Sequence, residues 1–232
     1  GRACVWRRDS PPSERLAEPL LEVITSNVFS AYGTTETLLD SVLRPEDLPG
    51  TAGAAGQPTH DTEMRLIEYR QGGTADPDAT VPHGEEGEII VSGASVLDYY
   101  FGSEAQTKDS VRDGWYYTSD LGVVDEDGFL TVTGRADDMI LSGGELVSPI
   151  EVEEILEEHQ SVEGAVVVGE DDEEWGQLVT AYVVGDTSAD ELDTYCADHD
   201  SLADYKRPRK YHFVDSLERT ATGQKQRYQY RD

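Results

Sequence analysis

The spacing of apolar residues changes period once along this chain. From about residue 50 to 135, short alternating runs are broken by turns: "EMRLIEY", "EGEIIVSG" and "LGVVDEDGFLTVTGR". Period two marks half-buried strands. Asp127-Gly128 in the third run is a hairpin signal. After Pro149 the period lengthens, and "IEVEEILEEHQ" sets Ile150, Val152, Ile155 and Leu156 on one helical face. "VEGAVVVGE" and "LVTAYVVG" then read as strands, "SADELDTYCADHD" as a helix begun by a Ser188 cap, and "KYHFVD" as a third strand. No single repeating architecture accommodates both halves. The expectation is a mixed α/β and α+β chain of two domains. Residues 1–136 end in a small antiparallel, barrel-like sheet, and residues 137–232 form a separate α+β domain. Upstream, residues 13–25 read as a helix capped by Ser13, and "NVFSAYG" as a strand. The opening "RACVW" reads as a buried strand without lead-in, which predicts a piece of a longer protein.

Charge removes several function classes. Asp and Glu number 48 against 18 Lys and Arg, a formal net charge of -30. A polyanionic partner, nucleic acid or anionic membrane, is excluded on that balance. The acid is spread along the chain, a pattern suited to high salt, which screens self-repulsion. Cys4 and Cys196 make no disulfide framework and no metal spacing, and the five histidines are scattered. With no apolar run of membrane-spanning length and no signal peptide, the sequence predicts a cytoplasmic protein.

Four segments carry chemistry. In "YGTTE", Gly33, Thr34 and Thr35 follow a strand and can cradle an anion, with Glu36 placed to hold magnesium beside a phosphate. The same five residues also suit an ordinary capped turn. Asp120 in "GWYYTSDLG" is an acid able to accept from both ribose hydroxyls, or a turn aspartate. Arg135 follows across the Asp127-Gly128 hairpin, so both side chains can reach one face. Asp137-Asp138 and Gly143-Gly144 read as a hinge between domains or as a solvated linker. Last, "RTATGQKQRYQYR", residues 219–231, contains Arg219, Lys225, Arg227 and Arg231 and no acid, against the trend of the chain.

In this order and at these spacings, the segments resemble the adenylate-forming superfamily of acyl-CoA synthetases, aryl-CoA ligases and peptide-synthetase adenylation domains. "YGTTE", "DGWYYTSDLGVVDEDGFLTVTGRADDMILSGGELVSPIEVEEIL", "EWGQLVTAYVV" and "YKRPRKYHFVDSLERTATGQKQR" carry the resemblance, from about residue 28 onward. It implies activation of a small carboxylic acid by ATP, with magnesium, to an acyl-adenylate, then transfer to coenzyme A. The end of a large AMP-binding domain would be followed by a small mobile C-terminal domain. Tyr32 would stack on adenine, with Gly33 and Thr34 lining the nucleotide site. Thr35 would contact the α-phosphate, and Glu36 would hold magnesium. Asp120 and Arg135 would bind the ribose. Asp137 would be the hinge, and Gly143, Gly144 and Glu145 would face the pantetheine arm.

Two departures qualify this. The Ser/Thr/Gly-rich loop ending in Pro-Lys-Gly, which grips the β- and γ-phosphates, is not in the sequence. The family's Thr-Gly-Lys-Ile-x-Arg appears as Thr222-Gly223-Gln224-Lys225-Gln226-Arg227, so the catalytic lysine aligns with Gln224. Loss of that lysine is the preferred reading over rescue by Lys225, since neighbours on an extended strand point to opposite sides. The alternatives are a non-catalytic relative that binds nucleotide or acyl-adenylate, and a domain serving a carrier protein.

Overall fold

The computed structural model describes residues 4–6, 21, 25–70, 72–220 and 225–231. The predicted helix over 13–25 falls almost wholly outside them. The chain divides into two compact units, Gly1–Ala136 and Asp137–Asp232.

The first unit holds two sheets. One joins β1 (Cys4–Trp6) and β2 (Val28–Tyr32) in parallel, then β3 (Ser41–Leu43) and β4 (Gln57–Pro58) antiparallel. The second is antiparallel: β5 (Thr62–Ile67), β6 (Glu86–Gly93), β8 (Trp115–Val124) and β7 (Val111–Arg112), with β9 (Leu130–Arg135) also on β8. A short helix α1 (Glu104–Ser110), capped by the Ser103 hydroxyl, leads into β7. The alternation read from the sequence has both faces occupied here. Ile89 and Val91 pack with Ala55, Leu66 and Leu130, whereas Ile90 packs on the other face with Ile67, Ala75, Trp115 and Tyr117. The Arg65 guanidinium lies 4.4 Å from the Trp115 ring centroid. The barrel-like closure expected of this sheet does not occur. Strands β5 and β7 end an open order, and no ladder joins them.

The β8–β9 hairpin turns where Asp127-Gly128 predicted, through a five-residue loop. Asp125 Oδ1 accepts from the Asp127 and Phe129 amides, and Gly128 is left-handed at φ 84°. A bulge between Leu121 and Gly122 then shifts the register so that Asp120 pairs directly with Arg135. Just before it, Ser119 is held at φ 58°, a left-handed backbone that a residue with a Cβ adopts at a cost of about 1–2 kcal/mol.

The second unit starts with a 3₁₀ turn, Ala136–Asp138 straddling the boundary, then β10 (Ile140–Ser142) and β11 (Glu145–Val147). Helix α2 (Pro149–Glu158) begins with proline at its first position, where no amide partner is lost. Strands β12 (Val162–Asp172) and β13 (Gly176–Gly185) form a long antiparallel ladder. Helix α3 (Ala189–Ala197) has the predicted Ser188 cap, which accepts from the Glu191 amide, and β14 (Lys210–Phe213) joins β13 in parallel. Val152, Ile155 and Leu156 bury the predicted face of α2 against Val167, Val179 and Val183. Each such side chain contributes about 1.5–3 kcal/mol on burial. Cys196 lies free and buried in this core, and burial pushes its thiol pKa up. Among the described residues no helix is long and apolar enough to cross a membrane.

Candidate active site

Three motif residues from three strands of the first unit meet at one carboxylate. Asp120, buried on β8, accepts from the Tyr32 hydroxyl at 2.8 Å through Oδ2 and from the Arg135 guanidinium at 2.6 Å through Oδ1. Register places Arg135, and the end of β2 places Tyr32. Burial first, then the negative charge of Asp120, holds the Tyr32 hydroxyl well above the usual tyrosine range. An acid gripped this way is a fixed acceptor on a rigid sheet.

The "YGTTE" loop leaves β2 beside it. A Cβ on Gly33 would lie 2.6 Å from the Leu38 carbonyl oxygen, so only glycine lets the loop fold back here. Thr35 is exposed at the loop's crest, and among the described residues its hydroxyl has no hydrogen-bond partner. The Glu36 carboxylate accepts from the Tyr100 hydroxyl at 3.1 Å, and the Glu36 carbonyl accepts from the Leu97 amide at 2.8 Å. Tyr100 also meets the Tyr116 hydroxyl at 3.3 Å. Desolvation, the Tyr100 hydrogen bond and the Glu36 charge all push the Tyr116 hydroxyl pKa up. Among the described residues no three His, Cys, Asp or Glu side chains gather as a metal cage. One carboxylate is nonetheless a fitting magnesium ligand when substrate phosphates and water supply the rest. Sequence reasoning missed Tyr100, Tyr116, Thr37 and Asp40. Only the hydroxyl of Thr37, directly after Glu36, offered a local signal.

The remaining predicted residues lie in the second unit. Gly143 and Gly144, at φ 60° and 89°, form the two-residue turn between β10 and β11, with Glu145 opposite Ser142. Both left-handed values are those of a type I′ hairpin, so this is a built turn and not a solvated linker. The Gly143 amide donates to the Trp175 carbonyl at 2.8 Å, and the Arg209 guanidinium lies 5.8 Å from the Trp175 ring. A Cβ at Gly144 would meet nothing within 4 Å, so that side of the turn is open to a ligand. Asp137 opens the unit, and its carbonyl accepts from Arg231 at 3.4 Å.

Gln224 lies outside the described residues together with Ala221, Thr222 and Gly223, but Arg219, Thr220 and Lys225 lie within them. Arg219 and Lys225 pair across an antiparallel bridge, and the Gln226 amide donates to the Glu218 carbonyl. The Lys225 ammonium sits 2.7 Å from Glu153 Oε2 and 2.9 Å from Glu157 Oε1, both on α2. Arg227 reaches the same Glu153 with Nε at 3.1 Å and Nη2 at 2.7 Å. Glu153 is buried, and its Oε1 also accepts from the Val167 amide. The acid-free closing stretch thus meets a carboxylate face on its own unit.

The family pattern described as AMP-binding enzyme matches residues 4–101, and that described as AMP-binding enzyme C-terminal domain matches residues 151–224. The chain belongs to the adenylate-forming superfamily of AMP-binding enzymes. Among its relatives is the 2-succinylbenzoate–CoA ligase of Bacillus licheniformis, 41% identical over 204 residues that cover 87% of this chain and 41% of the relative. The same ligase from a Geobacillus strain is 40% identical over 91% of this chain and 43% of its own length. The o-succinylbenzoate CoA synthetase of Bacillus subtilis, solved with its acyl-adenylate intermediate, superposes with a TM-score of 0.84 at 36% identity, over 100% of this chain and 46% of that one. ATP-bound MatB from Rhodopseudomonas palustris gives 0.86 at 28% identity, over 99% of this chain and 44% of that one. The chain therefore spans less than half the length of the relatives it matches.

Proposed function

We propose that this chain is the C-terminal portion of an ATP-dependent aryl-CoA ligase acting on a small aromatic carboxylic acid. The observation that carries this reading is the convergence of Tyr32 and Arg135 on the buried Asp120, beside the Gly33-hinged loop. In it, Asp120 and Arg135 orient the ribose and Tyr32 stacks on adenine. Thr35 and its neighbouring amides meet the α-phosphate. Glu36, steadied by Tyr100, is the protein's ligand to magnesium, which neutralises phosphate charge. Little covalent help is asked of the side chains; the work is positioning and charge. Asp137 is the hinge, and the second unit brings the Gly143-Gly144-Glu145 turn to the pantetheine arm of coenzyme A. The remainder of the large domain supplies the phosphate loop and most of the acid pocket. A second reading, a relative that binds acyl-adenylate without making it, is favoured by Gln224 and by the engagement of Lys225 with Glu153 and Glu157.

Calorimetric titration tests the site. Asp120→Asn is expected to weaken AMP binding about 10- to 100-fold, the worth of hydrogen bonds to a charged group. It should leave 2′,3′-dideoxy-AMP, which has no ribose hydroxyls to offer, unchanged. Equal loss for both nucleotides, or none for either, removes Asp120 from the ribose.

The acidic excess carries a further part of the proposal: the protein works at high salt, in the cytoplasm. Self-repulsion at a net charge of -30 acts over a screening length of about 10 Å in 0.1 M salt and about 3 Å in 1 M. The thermal midpoint should climb steadily with KCl into the molar range. A flat or falling midpoint would show that exposed pairs such as Arg65–Asp78 outweigh the repulsion.

A further inference from the structure

The turn after Gly33 is shaped by a buried carboxylate that no motif includes. Asp40 is fully buried, and its Oδ2 accepts from the Thr37 hydroxyl at 2.5 Å. Its Oδ1 has no hydrogen-bond partner. Thr37 is buried too, and its Oγ1 lies 3.2 Å from the Thr34 amide and 3.1 Å from Thr34 Oγ1. The Glu36 amide in turn donates to Thr34 Oγ1 at 3.2 Å.

The direction of this chain of hydroxyls follows from proton counting. A hydroxyl has one proton to give. Thr37 gives its proton to Asp40, so it must accept from Thr34, and the Thr34 proton is committed inward. The Thr34 oxygen is left to receive the Glu36 amide. Of the two threonine hydroxyls at the crest of the loop, only that of Thr35 remains free to face outward. Asp40 thus commits Thr34 and Thr37 and leaves Thr35. It is also the one member whose burial has a cost on its own: desolvation raises its pKa to about 6, and the negative charge of Asp120 adds to that rise. The charged or titratable groups facing it are Asp120 on β8 and Tyr32 on β2, with Arg135 on β9 reached through Asp120. A buried acid this poorly compensated is retained at a cost in stability.

We infer that Asp40 is a positioning residue for phosphate recognition, holding the Thr34–Thr37 turn through Thr37 so that Thr35 and the loop amides present themselves to a nucleotide's α-phosphate. This rests on the nucleotide site proposed above. Asp40 does not touch the ligand, so its removal should be felt by the phosphate and not by the nucleoside.

The test compares two probes by calorimetry: adenosine, and the methyl ester of AMP, which carries one fixed negative charge and no ionisation near pH 6. Thr37→Val and Asp40→Ala should each weaken binding of the methyl ester about 10-fold, the scale of one lost hydrogen bond. Both should leave adenosine within twofold. Because the two residues act in series, Thr37→Val with Asp40→Ala should be no worse than either alone. Thr37→Ser, which keeps the hydroxyl, should bind both probes like the parent. If Asp40→Ala does not fold, the Val and Ser variants of Thr37 still give the split between probes. Equal losses on both probes, additive losses, or no loss overturn the inference and leave the nucleotide site standing. Failure of the parent chain to bind either probe overturns the site itself.

Discussion

Replacing Gln224 with lysine raises ATP–pyrophosphate exchange at least about 100-fold, the scale on which one preorganised charge at a reacting phosphate acts. The experiment joins this chain behind the preceding half of the Bacillus licheniformis ligase, so that a phosphate loop is present. Release of AMP from a supplied acyl-adenylate by coenzyme A should stay within a few-fold of the parent, because that step does not call on the lysine. Lys225 has another occupation. Its ammonium lies between Glu153 and Glu157, with a side chain only 17% exposed. Leaving for the phosphate would take the cation from Glu157 and leave Glu153 to Arg227 alone. Lys225→Ala should therefore leave the residual exchange of the parent where it is. If that substitution abolishes exchange, or if Gln224→Lys changes nothing, the alignment of this loop is wrong and Lys225 is the working cation. Exchange near zero with thioester formation intact would instead favour the reading of a binder of preformed adenylates.

Glu153→Ala should be the most destabilising single change in the second unit. Glu153 neutralises Lys225 and Arg227 and accepts from the Val167 amide, with its side chain 3% exposed. Removing one partner of a buried ion pair costs about 3–5 kcal/mol, because the other charge is left uncompensated. Lys225 keeps Glu157 and Arg227 keeps Asp138 at 3.5 Å, which argues for the lower end. For a unit of about this size, 3 kcal/mol corresponds to a fall of at least about 12 °C in its midpoint. Replacing all three charged residues by Met and Leu should recover much of that loss, since apolar packing often equals a buried ionic cluster. A loss below about 1 kcal/mol for Glu153→Ala would mean that this cluster is solvated and weak.

The sequence disclosed what depends on local spacing. The face of α2 followed from Val152, Ile155 and Leu156, and the approach of Arg135 to Asp120 followed from Asp127-Gly128 even though a bulge intervenes. What it withheld depends on contacts between distant segments. Tyr100 finds Glu36 across 64 positions, and no local pattern announces it. Alternation predicts a barrel-like sheet where the sheet is open, because it fixes which face a residue takes and not whether the last strand meets the first. Asp40 escaped for a different reason: an aspartate four residues past a motif reads as solvated until its burial is seen. The closing basic stretch has no acid of its own, so its partners are not legible locally. Its carboxylate partners on α2, 68 to 74 positions earlier, give Lys225 and Arg227 a structural employment as well.

The two units have separate cores, and each contains an indole in a distinct setting. Trp115 is buried under the Arg65 guanidinium in the first, and Trp175 is half-buried near Arg209 in the second. The chain is thereby equipped with its own optical labels. With Trp6 and Trp115 replaced by phenylalanine, emission follows the second unit alone; with Trp6 and Trp175 replaced, it follows the first. Recorded side by side, the two variants tell whether the chain denatures in one step or in two, and a single midpoint describes it only in the first case.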